Sequence, residues 1–247
     1  MPAGFQAVNA NNIVQIDASY KNYILKEKGY GLLNYDNSEW LGNPANAYTV
    51  TVNNAVNPLI AMHTKEFVRT WRIALGNGSF MFKFTVAYNN RPPDPNLPFP
   101  APFWWYVYDS PPPAASVHGV GMQVFNGSGQ ITFDSGYQYM KVLGTVSQIA
   151  TFPPVSRVEN DYRFGNDKVA FAICQQAILC DVDFLPVGPG GEVIEATNVF
   201  TITAAVRKNQ STITTWDALE YTMPSGTINF INTKPYTLLA IDVSTLG

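Results

Sequence analysis

Two histidines, a few carboxylate pairs and two cysteines are the residues of this chain best suited to chemistry. His63 lies in LIAMHTKEF and His118 in SVHGVG. A hydrolase built on either would need a Ser or Cys nucleophile and an orienting carboxylate beside it. The sequence has no G-x-S-x-G elbow, no H-E-x-x-H pair and no phosphate-cradling G-x-x-x-x-G-K-[ST] loop. Glu159 with Asp161, and Asp181 with Asp183, are candidate carboxylate pairs, and alternation places Asp181 and Asp183 on one face of a strand. They would stand about 7 Å apart, as the acid and base of an inverting glycosidase do. The same spacing occurs on any solvated strand edge, and that reading is preferred. Asn160-Asp161 and Asn166-Asp167 lack the oxygen density of a calcium loop. Cys174 and Cys180, in FAICQQAILCDVDF, form neither a disulfide framework nor a zinc set, and their apolar neighbours predict buried free thiols in a reducing cytoplasm. The expectation is a chain that is not an enzyme, with no catalytic, cofactor-binding or metal-binding residue.

The scaffold that would position such groups is written twice. Residues 4–25 read GFQAVNANNIVQIDASYKNYIL and residues 121–142 read GMQVFNGSGQITFDSGYQYMKV, aligned without a gap at an offset of 117. Gly4, Gln6, Asn9, Asp17 and Tyr20 meet Gly121, Gln123, Asn126, Asp134 and Tyr137. Most other pairs exchange like for like, as Val14 with Ile131 and Ile16 with Phe133. A long internal period means one architectural unit used twice, so units over 1–116 and 117–247 are expected. Each copy reads as a hairpin followed by a third strand, Tyr20–Lys26 and Tyr137–Leu143. Asn126-Gly127-Ser128-Gly129 supplies a strong hairpin turn. Asp17 and Asp134, each ending the second hairpin strand, read as turn residues accepting backbone N–H bonds.

Composition agrees with an all-β chain. Of 247 residues, 46% are hydrophobic and 13% aromatic, while only 13% are charged, about half the usual charged share. Alternating runs appear at Tyr48–Asn53, Phe67–Leu75, Ser79–Tyr88, Lys168–Cys174, Ile178–Phe184, Val199–Arg207, Thr212–Trp216, Thr227–Ile231 and Tyr236–Val243. Very little helix is expected, with one turn over Thr215–Tyr221 and an ambiguous stretch over 64–72. The predicted fold is two related β-sandwich-like units. Residues 91–103 hold six prolines, which cannot donate to a sheet ladder, and so predict an extended surface loop. In the apolar strand that follows, alternation places Trp104, Tyr106 and Tyr108 inward and leaves Phe103 and Trp105 facing elsewhere. Pro95, Pro98, Phe99, Pro100, Phe103 and Trp105 are therefore the candidate interaction surface.

Net charge is −3 and the longest basic run is Arg207-Lys208, which argues against a nucleic-acid partner. No apolar run is long enough to span a membrane and the first residues lack the pattern of a secretory signal. So few charges leave a surface poorly defended against association. Copies of the chain or other proteins are expected to cover part of it, in a trimer or another symmetric arrangement.

The residues Tyr108, Asp109, Pro111, Gly121, Gln123, Val124, Phe125, Asn126, Gly129, Phe133, Asp134 and Ser135 carry a resemblance. An apolar strand ending in Tyr-Asp-x-Pro, then G-M-Q-V-F-N-x-x-G-x-x-x-F-D-S, is similar to a pattern in small tail proteins of tailed bacteriophages. The opening MPAGFQ with QID and the closing YTLLAIDV also resemble them. The resemblance covers both ends and the middle of the chain, not 27–100 or 143–230. It implies a virion structural protein near the tail tip, baseplate or fibres, made in the bacterial host cytoplasm and docked on other tail proteins. The alternative expectation is an adhesin or lectin-like module that contacts a host surface receptor.

Overall fold

The computed structural model describes residues 6–8, 10, 14–17, 22–33, 47–66, 68–86, 100–110, 121–148, 158–165, 168–175, 178–187, 192–206, 212–224 and 236–246. Every regular element among them is a strand. In the first half these are β1 (Gln6–Val8), β2 (Val14–Asp17), β3 (Ile24–Leu33), β4 (Tyr48–Val52), β5 (Leu59–Thr64), β6 (Val68–Gly76), β7 (Ser79–Val86) and β8 (Ala101–Asp109). In the second half they are β9 (Gln123–Phe125), β10 (Ile131–Asp134), β11 (Lys141–Gln148), β12 (Val158–Arg163), β13 (Val169–Gln175), β14 (Ile178–Val187), β15 (Glu192–Val206), β16 (Thr212–Pro224) and β17 (Tyr236–Asp242). The helical turn expected at Thr215–Tyr221 is instead part of β16, and 64–72 holds the end of β5 and the start of β6. The strand expected at Thr227–Ile231 lies outside the described residues.

Two antiparallel sheets form the body. One has six strands in the order β11-β17-β13-β5-β8-β3, the other seven in the order β12-β16-β15-β6-β7-β4 with β14 on β15. Each sheet takes strands from both halves. The halves meet where β13 pairs β5, with Phe171 opposite Met62, and where β15 pairs β6, with Ala204 opposite Val68. Within the first half, β3 pairs β8, β8 pairs β5, β4 pairs β7 and β7 pairs β6. In the second half β11, β17 and β13, and then β12, β16 and β15, follow the same winding. It is a six-strand version of jelly-roll winding, in which first and last strands pair and the chain folds back through the middle.

Registers match as well as order. In β3–β8, Ile24 faces Asp109 and Leu25 faces Tyr108 before a bulge delays the next pair to Glu27. In β11–β17, Lys141 faces Asp242 and Val142 faces Ile241 before a bulge delays the next pair to Gly144. The chain segments entering β3 and β11 bond to each other through Leu25 N to Gln138 O (2.7 Å) and Met140 N to Tyr23 O (2.9 Å).

The main core lies between the sheets. Val50, Val52, Phe82, Phe84 and Val86 project from one sheet, and Ile60, Met62, Phe103, Val107, Phe171 and Leu238 from the other. Strand alternation sends the intervening residues of the six-stranded sheet to its outer face. There Ala61, Tyr106, Tyr108, Ala170, Ala172 and Ile241 pack under the C-terminal Val243 and Leu246. Lys28 Nζ donates to the Leu246 carbonyl and holds that segment down. Alternation in β8 is real, but its phase is opposite to the expected one. Phe103 is fully buried between the sheets, Trp105 packs on the same cluster, and Trp104 is 41% exposed. The reason lies on the neighbouring strand. Gly29 and Gly31 stand opposite Trp105 and Phe103, and a Cβ at Gly29 would come within 2.3 Å of the Trp105 ring. The bare backbone there makes room for the indole on the inner side.

Tyr108 shows the cost of the outer cluster. Among the described residues its buried hydroxyl has no hydrogen-bond partner, and burial, assisted by Tyr106 and Asp242, pushes its pKa well above the usual phenol value. An unmade buried hydrogen bond costs about 1–3 kcal/mol. Tyr108→Phe is therefore expected to leave stability unchanged or raise it by about 1 kcal/mol, read by thermal denaturation at neutral pH. Because the folded-state pKa is raised, the unfolded chain loses this proton first. Stability should decline as pH rises above about 10, and less steeply in Tyr108→Phe.

Candidate functional site

The residues singled out by repetition meet in a pair of hairpins. β1 pairs β2 with Gln6 opposite Asp17, Ala7 opposite Ile16 and Val8 opposite Val14. β9 pairs β10 with Gln123 opposite Asp134, Val124 opposite Phe133 and Phe125 opposite Ile131. The shift falls at the same step of both ladders. Each hairpin is a separate two-stranded sheet. A third strand follows each hairpin, as expected, and β3 and β11 each join the six-stranded sheet.

In the second hairpin the purpose of the recurring pair is visible. Gln123 Nε2 donates to Asp134 Oδ2 at 2.8 Å, directly across the ladder. Asp134 is buried; its Oδ1 accepts the Gly136 N–H at 2.8 Å, and its own N–H donates to Tyr139 Oη at 2.7 Å. Tyr137 N donates to the Asp134 carbonyl at 3.1 Å. The carboxylate thus caps a turn, as its position in the sequence indicates. Met122 N donates to Ser135 Oγ at 2.8 Å, and a Cβ on Gly121 would meet that same oxygen. Phe133 stacks on Tyr139 with centroids 4.5 Å apart. Asn22 Nδ2 donates to Thr132 O at 2.9 Å, tying this hairpin to the first half. Gly4, Asn9 and Tyr20 lie outside the described residues.

The turn between β9 and β10 differs from the simple Asn-Gly form. Asn126 Oδ1 accepts the N–H groups of Ser128 (3.0 Å) and Gln130 (2.9 Å), and Gly129 N donates to Asn126 O (3.0 Å). Gly129, with φ of 73°, takes the left-handed position of a three-residue loop closed by a bulge. Gly129, not Gly127, is the glycine this turn requires. The first copy has Ala10 where the second has Gly127, and Asn12 where it has Gly129.

Buried Asp109 has a similar structural role. It accepts N–H bonds from Val56 (2.9 Å), Asn57 (2.8 Å) and Ser110 (2.9 Å), fixing the 53–58 loop against the end of β8. Asp242, at the end of β17, accepts Ser244 N at 2.9 Å.

Of the candidate surface, Pro95, Pro98 and Phe99 lie outside the described residues, and Pro100 is exposed just before β8. Phe103 and Trp105 face the core. The exposed aromatic of that strand is Trp104, which the sequence reading had turned inward. Tyr30 on β3 and His63 on β5 stand directly opposite it in the two ladders. Tyr30 is 52% exposed and neighbouring Leu32 is 44% exposed. The Tyr30 and His63 rings meet the indole edge-on, with centroids at 5.3 and 5.9 Å and interplanar angles of 64° and 63°. His63 Nδ1 donates to the Val169 carbonyl at 2.8 Å. Exposure of a Trp beside a Tyr is a signal that no single-strand pattern contains, because it depends on which strands lie side by side.

The remaining chemical candidates lie on several elements. His118 lies outside the described residues. Asp181 and Asp183 sit on β14 opposite Asn198 and Ala196, and Asp161 is exposed on β12. Cys174 is a free cysteine, exposed as a residue, but burial of the thiol pushes its pKa up to about 11, and its strand β13 belongs to a different sheet from Cys180 on β14. Among the described residues no three His, Cys, Asp or Glu side chains are grouped to hold a metal ion.

Three substitutions separate framework from decoration in the hairpin. Gly129→Ala, forced into the left-handed region, should cost about 1 kcal/mol, whereas Gly127→Ala should be neutral. Asp134→Ala leaves Gln123 and the Gly136 N–H without their acceptor and should cost about 1–3 kcal/mol. Chemical denaturation of the purified variants measures all three.

No protein-family model, curated protein or solved structure matches this chain.

Proposed function

We propose that the chain is a structural subunit of a bacteriophage tail, at the tip, baseplate or fibre attachment region, and that it works through docking surfaces. The observation that carries this reading is the repeated framework, with the same winding, the same hairpin register and the same bulge in both halves. We read it as an internal duplication. A catalyst gains little from copying its scaffold, whereas a building part gains a second set of edges. The six-stranded sheet ends in β3 and β11, and the other sheet's path ends in β12 and β4. Exposed strand edges are ready templates for pairing with other chains unless they are covered. The resemblance to small tail proteins supports the same conclusion. In this reading the chain is made in the host cytoplasm, functions in the virion, and has no hydrolytic activity of its own.

A second reading, a receptor-binding adhesin, is favoured by the outward-facing Trp104 and Tyr30. The two readings differ in where the chain sits and in what covers it.

Sedimentation of the isolated chain, with a density map of the purified particle, tests the proposal. The expected outcome is a trimer or other symmetric assembly, or an ordered place in the tail with specific contacts burying about 1,000 Å² or more. A stable monomer making only small, wet contacts in the particle would overturn it. Asp181→Asn with Asp183→Asn should leave any glycan processing by the particle unchanged; its loss, with the fold intact, would reassign the chain as an enzyme.

A further inference from the structure

The two halves of the chain act as each other's control. Positions that the framework requires recur: Gln6 with Gln123, Asp17 with Asp134 and, at the ends of the closing strands, Asp109 with Asp242. The aromatic row does not recur. By the matched registers, Tyr30 corresponds to Ser147 and Trp104 to Thr237, which face each other on β11 and β17. Across the next ladder Thr237 faces Gln175, where Trp104 faces His63. The same winding is therefore built with a polar row in one half and an aromatic row in the other. The sheet does not need exposed rings at this place.

We propose that Trp104, flanked by Tyr30 and His63, is a binding site for neutral saccharide, one or two pyranose rings in extent. Size favours this ligand over a protein. The row spans three adjacent strands, about 10 Å across. With roughly half of Tyr30, Leu32 and Trp104 exposed, and about 150–250 Å² available from a fully buried aromatic, the patch offers a few hundred Å². A stable protein interface takes about 800 Å² from each partner. Chemistry favours it too. The negative face of an indole attracts the C–H face of a sugar ring, and the Tyr30 and His63 rings, inclined to the indole by 64° and 63°, flank it. Because His63 Nδ1–H donates to the Val169 carbonyl, the neutral ring keeps Nε2 as an acceptor for a sugar hydroxyl. Tyr30 Oη can donate or accept beside it. On the same face of β3, Lys28 is engaged by the Leu246 carbonyl.

The site does not depend on the tail assignment, and its test is separate from location in a particle. The full chain is applied to an array of immobilised neutral hexose and N-acetylhexosamine oligosaccharides, and positive spots are followed by titration with the same soluble oligosaccharide. Wild type is expected to bind at least one of them. Trp104→Ala should weaken binding by about tenfold or more, with the melting temperature unchanged because the side chain is exposed. His63→Gln, which moves the acceptor without opening the core, should weaken it several-fold and serves if Trp104→Ala fails to fold. Absence of binding by folded wild type to every neutral glycan overturns the proposal. So does equal binding by Trp104→Ala, or a Trp104-dependent complex with a protein in place of any glycan.

Discussion

Everything in this fold depends on the junction of β5 with β13. Each half contributes only three strands to the six-stranded sheet, and the edges facing the other half, β5 and β13, carry Met62 and Phe171, both fully buried. Separated, each would present an unpaired central strand and an open core. Joined, they bring Ile60, Met62, Val169 and Phe171 into one continuous layer beneath the other sheet. On the outer side of the same two strands, Ala61, Ala170 and Ala172 are small enough to lie under Tyr106, Tyr108 and the C-terminal segment. A single sandwich results because neither half has a complete core of its own.

Where strands end, a carboxylate ends them: Asp109 and Asp134 are buried and accept several N–H bonds each, and Asp242 accepts the N–H of Ser244. These acids secure turns. The glycines of β3 act on packing, since Gly29 and Gly31 make room for Trp105 and Phe103. Filling the inner face with those two rings leaves Trp104 on the outer face. Trp104 lies there between Tyr30 and His63.

Local pattern carried much of this architecture. The all-β class, most strand positions and the correspondence of Gln6–Asp17 with Gln123–Asp134 are all readable from alternation, turn residues and the gapless offset of 117. Two strands were not. β5, LIAMHT, has no alternation because its residues are covered on both faces, and β12, VENDYR, is too polar to look like a strand. β5 is the strand that joins the halves. Asn126-Gly127-Ser128-Gly129 marks the turn, and within it the dihedral demand falls on Gly129, which closes the loop.

By itself, then, the sequence determined what is local: which segments extend, where turns fall, and that two hairpins share one pattern. Periodicity of two states that neighbours on a strand face opposite ways, but not which way is in. Only the tertiary structure decided that Phe103 and Trp105 are core and Trp104 is surface, because the phase is chosen by the glycines of β3 lying opposite β8. It alone brought Tyr30, Trp104 and His63 into one row, since those residues are far apart in the chain and meet only through cross-strand register. Side-chain direction is a property of the pair of strands, and pairing is fixed only when the whole sheet has closed around its core.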